Sequence, residues 1–214
     1  MKSYIAEVLG TCLLTLALIL ATTLGPWIGA VLAGFILMFV AYTIGHVSGA
    51  HINPAITIGA LSVGKISPMR AFYYIISQLA GAALALVVLH LTHAVSPSEI
   101  DSKFSWVVFT GEVVGMGLFA FGIASLLFKR VDAATTGFVA GISLFLGLIV
   151  SLLLVAASGG STFLNPAVAF GLSSVSIASI LGPILGSIIG MWLYVVICED
   201  VKATASHVKH SFKA

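Results

Sequence analysis

Charge is what this chain has least of. Asp, Glu, Lys and Arg make up 7% of its 214 residues, where a soluble domain carries about 25%. So few charges cannot cover a water-facing surface, which excludes a soluble globular fold. Hydrophobic residues reach 60% and mean hydropathy is +1.19, so the chain reads as one integral membrane domain. A formal net charge of +2 is too small to draw nucleic acid. Cysteine is scarce too: Cys12 and Cys198 both lie in apolar runs and read as buried free thiols. No metal-ligand set stands out, and no cofactor is expected. Asparagine occurs only as Asn53 and Asn165, each followed by Pro-Ala.

What is there instead is long apolar runs. A helix needs about 20 apolar residues to span a bilayer. Six segments qualify, at about 4–24, 28–46, 68–92, 106–128, 137–157 and 176–198. Two shorter ones, about 53–62 and 165–174, begin at the Asn-Pro pairs. The start, Met1-Lys2 and an apolar run, imitates a secretory leader. Glu7 inside that run and the lack of an A-x-A site make it the first span instead. With six spans, Lys2, Lys65, Arg70, Lys129, Arg130, Lys202, Lys209 and Lys213 fall on one side and only Lys103 opposite. That bias makes the side of both termini cytoplasmic, with Trp27 and Trp106 near the outer interface. The polar tail, 199–214, is expected to have little order.

The two halves resemble each other. "YIAEVLGTCL" (4–13) aligns with "FTGEVVGMGL" (109–118), matching Glu7 to Glu112 and Val8 to Val113. Each half, about 4–92 and 106–198, then has a second span, a Ser-Gly-rich loop and Asn-Pro-Ala. Three spans per half mean opposite insertion, the inverted-repeat plan in which paired short helices mark the functional site near the midplane.

Asn is a favoured N-cap and Pro a favoured first helical residue, so Asn-Pro-Ala starts a helix. Half-length helices from Asn53 and Asn165 would meet N-terminus to N-terminus in mid-membrane. Each end carries about half a positive charge, which repels cations. Each capping Asn keeps its NH2 as a donor for a passing oxygen. Irregular backbone at this depth needs burial or a watery cavity.

At these residues the chain resembles the aquaporin family, the major intrinsic proteins. The resemblance covers roughly 4–198 and includes "AEVLGT", "GHVSGAHINPAITIG", "SQLAGA", "NPAVAFG" and "GPILGSIIG". It implies an all-α membrane fold of six transmembrane helices plus two re-entrant half-helices, in a homotetramer with one pore per subunit. It implies passive flux of water or small uncharged solutes, with Asn53, Pro54, Ala55, Asn165, Pro166 and Ala167 at the pore centre. It makes Glu7 and Glu112 loop anchors, and sets His46 against the first re-entrant loop. His51 would face the cytoplasmic vestibule. A plain structural role for either histidine is the alternative.

The chain departs from the family at the outer constriction. The resemblance places an Arg three residues after the second Asn, where Val168 stands. Counting likewise, the other constriction positions are Ala33, Leu153 and Thr162, without the aromatic and His common in water channels. Leu172 replaces the usual Pro after Phe-Gly. An Ala, Leu, Thr, Val ring would be wide and apolar, which favours glycerol, urea or undissociated metalloid acids. A water-selective or poorly conducting channel is the alternative, since apolar constrictions gate by dewetting. His90, His93 or Lys103 filling the place of the Arg is another.

Other function classes fit less well. An enzyme would need a nucleophile with a base; Ser48 near His46 and His51 lacks an orienting carboxylate nearby. A secondary transporter also uses inverted repeats, but Glu7 and Glu112 are its only intramembrane acidic candidates. Gly182, Gly186 and Gly190 form a smooth face for close internal helix packing.

Overall fold

Proline and small polar residues punctuate the apolar sequence. In the computed structural model, which describes residues 1–21, 24–92 and 104–212, four helices open on Pro: Pro26, Pro54, Pro68 and Pro166. The spanning helices are α1 (Lys2–Ala21), α2 (Pro26–Ser48), α4 (Pro68–Thr92), α5 (Trp106–Leu127), α6 (Thr136–Val155) and α8 (Ile177–Cys198), with the half-helices α3 (Pro54–Ser62) and α7 (Pro166–Gly171) between them. The fold is all-α, with six helices long and apolar enough to cross a bilayer. Helix α7 is shorter than the expected ten residues. Its chain turns at Ser173, which takes a left-handed φ of 53° and ends the helix.

The repeat is visible in the packing. Helix α1 lies along α4 as α5 lies along α8, and α2 meets α6 between the halves. Each half-helix also packs on the last span of the other half, α3 on α8 and α7 on α4. Gly81 and Gly186 hold equivalent crossings: a Cβ at either would strike backbone, the Val8 carbonyl or the Val113 carbonyl. The Gly182, Gly186 and Gly190 stripe lies wholly against α5, so it serves internal packing.

Tyr4 rests on Tyr73 and Tyr74, with centroids 5.6 and 5.9 Å apart, so the N-terminus lies beside the start of α4. The C-terminal segment lies at the same end, because Gly64 packs against His207 and Val208. This end, which carries Lys2, Lys65 and Arg70, is the basic side. The tail departs from the expectation of little order. A ninth helix, α9 (Val201–Ser211), is capped by Asp200, whose carboxylate accepts the Ala203 N–H at 2.9 Å. Lys209 and His210 in its last turn complement the helix dipole.

Candidate functional site

The two Asn-Pro-Ala loops meet at the centre. Asn53 accepts the Ala55 N–H at 2.9 Å, and Asn165 accepts the Ala167 N–H at 3.0 Å. Each side chain therefore caps its own half-helix. The amide nitrogens reach across. Asn53 Nδ2 donates to the Leu164 carbonyl at 2.7 Å, and Asn165 Nδ2 to the Ile52 carbonyl at 2.9 Å. Each amide thus spends one N–H tying the loops together and has one left over, half the donor capacity expected.

A carboxylate lies behind each loop. Glu7 receives the N–H of His51 at 3.0 Å and of Ile52 at 2.6 Å. Glu112 receives those of Phe163 and Leu164, both at 2.8 Å. Both carboxylates are fully buried, where such partners are obligatory. They hold strained backbone: Ile52 and Leu164 have φ of 40° and 52°, and non-glycine residues in that region cost of order 1–3 kcal/mol each. Gln78 adds a brace on the first side only, donating to Glu7 at 2.8 Å and to the Thr57 hydroxyl at 2.9 Å. It is the single glutamine of the chain, set in an apolar span, which is the signal that would have found it.

His46 does not anchor the loop. It lies on the last turn of α2, exposed, and its ring has no hydrogen bond among the described residues. His46 lines a cavity of about 410 Å³ on the basic side, together with Tyr42, His51, Phe119 and Thr136. The loop is held there by Tyr74, whose hydroxyl donates to the Ser48 carbonyl at 2.8 Å and receives Arg70 at 2.6 Å. His51 is buried, with Nδ1 3.2 Å from the Thr57 hydroxyl.

A second cavity, about 530 Å³, opens on the far side between Trp27, Leu152, Gly159 and Thr162. Between the two, the space beside Asn53 and Asn165 shrinks to about 10 Å³. This waist is about the size one water needs. Leu37, His51 and Phe119 border it toward the basic side. Leu18, Leu148 and Phe163 border it toward the far side. None of the three cavities is lined by Asp, Glu, Lys or Arg among the described residues.

The expected constriction ring is brought together only in part. Ala33 lines the waist. Thr162 lines the far cavity, 6% exposed, and its hydroxyl has no protein partner. Leu153 is 60% exposed and lines none of the cavities; Leu148 and Leu152, on the inward face of α6, do so instead. Val168 is fully buried in the core and lines neither the waist nor the far cavity. The four positions therefore do not form one ring around the passage, and Phe163 lines both the waist and the far cavity. His90 is exposed on α4 and away from the cavities, while His93 and Lys103 lie outside the described residues.

Paired loops crossing at a central waist, held by matched carboxylates, coincide with a family match over residues 1–194 to the major intrinsic proteins. The chain belongs to that family. Aquaporin NIP1-1 of Arabidopsis thaliana is 31% identical over 77% of this chain, and the matched stretch spans 60% of that protein. Aquaporin Z of Bradyrhizobium diazoefficiens is 29% identical over 90% of this chain and 93% of its own length. The aquaglyceroporin of Plasmodium falciparum shares the fold, with a TM-score of 0.63 over 98% of both chains at 22% identity. The chain is therefore a multi-pass, aquaporin-type membrane channel and not an enzyme.

Proposed function

We propose that this major intrinsic protein is a passive channel for small uncharged molecules, selecting by an apolar waist rather than by a fixed cation. The observation that carries this reading is the lack of any charged side chain along the three cavities among the described residues. A dehydrated ion would find no counter-charge at the waist and would pay several kcal/mol of desolvation. A neutral hydroxylated or amide solute finds two free Asn N–H groups and the unpartnered Thr162 hydroxyl. Its carbon face suits Leu18, Ala33 and Leu148. Glycerol, urea and undissociated metalloid acids are such solutes, and the Val168 position leaves no cation to compete with them.

The same reading makes the basic side cytoplasmic, in keeping with the bias of Lys and Arg, and residues 1–214 one channel domain with 199–214 as its polar cytoplasmic tail. Exposed Phe35, Phe39 and Leu153 supply apolar surface for lipid or for sister subunits of a homotetramer. A second reading, a water-selective or poorly conducting channel, draws on the tightness of the waist, since an apolar constriction can empty of water.

Purified protein in liposomes separates the two. Flux of water, glycerol, urea and arsenous acid is compared with protein-free vesicles. Solute flux above background supports the first reading. Water flux without solute flux overturns it.

A further inference from the structure

We propose that Phe163 is the specificity-determining residue of this channel: its ring is the movable wall between the waist and the far cavity, and its size sets which neutral solutes pass. The inference deepens the channel reading above and rests on it.

Three side chains border both spaces, Leu18, Leu148 and Phe163. Leu18 and Leu148 project from the spanning helices α1 and α6. Phe163 is different, because it sits on the re-entrant loop, two residues before Asn165. Its own N–H is held by Glu112 at 2.8 Å. The next residue is held twice, by the Leu164 N–H to Glu112 and by the Leu164 carbonyl from Asn53. The backbone is thus pinned on both sides of the ring, and the two side-chain torsions remain as its freedom. The ring is only half-buried, packed against the edge of the core.

The surroundings fit a ring that must clear for a solute. Ala33, which lines the same waist, offers a methyl group and nothing larger. Phe163 lines both the small space beside Asn53 and Asn165 and the far cavity, so a solute crossing from one to the other passes its ring. Residue 162, next in the chain, places its unpartnered hydroxyl on the far cavity. A solute held there would lie one residue from the ring. The positions at 168 and 153 cannot do this work, one being sealed in the core and the other turned away from the passage.

The test is the glycerol-to-water permeability ratio of liposomes holding wild type, Phe163→Ala, Phe163→Leu or Phe163→Trp, with size-exclusion profiles checking assembly. Removing the ring is expected to raise the ratio by about tenfold or more, as deletions in apolar pockets do, with Leu between and Trp below wild type. An unchanged ratio in assembled Ala and Leu variants overturns the inference. If Ala fails to assemble, the order of Leu, Phe and Trp decides alone. Wild-type flux with no response to residue 163 sinks only this inference. No flux from any variant sinks the channel reading with it.

Discussion

Asn53 donates to the Leu164 carbonyl at 2.7 Å, and Asn165 answers with a bond to Ile52 at 2.9 Å. The two capping residues are therefore also the cross-braces of the pore centre. Each accepts on behalf of its own half-helix and donates to the opposite loop. Removing either side chain exposes a helix end and orphans a buried carbonyl.

Asn165→Ala is expected to destabilise the protein by about 1–3 kcal/mol, combining a lost cap with an unsatisfied acceptor. Asn165→Asp keeps the cap acceptor but sets a buried carboxylate against the Ile52 carbonyl, so it should melt no higher than Asn165→Ala. Thermal unfolding in detergent, followed by circular dichroism, checks the order. Equal melting for all three would show that the cross-brace contributes nothing.

Glu112→Gln replaces one of two acceptor oxygens with a donor that faces a backbone N–H. We expect a loss of about 1–3 kcal/mol, with solute flux falling as the 163–164 backbone relaxes. Unfolding midpoints and liposome flux, measured together, report both effects. A variant with unchanged midpoint would mean that Glu112 is not what holds Phe163 and Leu164.

Val168→Ala separates the buried position from the passage. It should cost about 2 kcal/mol in lost apolar burial and cavity formation. The glycerol-to-water ratio should stay at the wild-type value, because the side chain touches neither cavity. A changed ratio would return position 168 to the selectivity filter.

Beyond the spans, Arg130 grips Glu199 with bonds of 2.7 and 2.8 Å, joining the ends of α5 and α8. The hydrogen bond and charge of Arg130 hold the Glu199 carboxyl below its ordinary value. A depressed carboxyl stabilises the fold above its unfolded pKa of about 4.3 and loses that contribution as pH falls through the folded value. Wild type should therefore melt higher than Glu199→Gln at neutral pH, and the two should converge in acid below that range. A gap that persists in acid would contradict the assignment.

Much of the fold was legible because its signals are local. Apolar runs of spanning length and Asn-Pro starts need no tertiary knowledge, and matched Glu7 and Glu112 exposed the repeat. The constriction was harder. Counting back twelve residues from Asn165 to Leu153 assumes that the α6 phase carries through the loop. A 3-10 turn at Ala156–Ser158 intervenes, and the inward face runs through Leu148 and Leu152. The burial of Val168 depends on how a six-residue α7 packs against its neighbours, which no local pattern encodes. Phe163 reads as one apolar residue among several until both cavities are seen to share it. The α9 helix is hard to read because its segment is short and polar on average, and its cap, Asp200, stands beside Glu199 as ordinary tail charge.

The most direct test of a passive channel for neutral solutes is glycerol uptake into wild-type liposomes over a wide concentration range, with and without an imposed proton gradient. Uptake above protein-free vesicles, linear in concentration and indifferent to the gradient, is the predicted result. Background-level uptake, or uptake that saturates and follows the proton gradient, would contradict it.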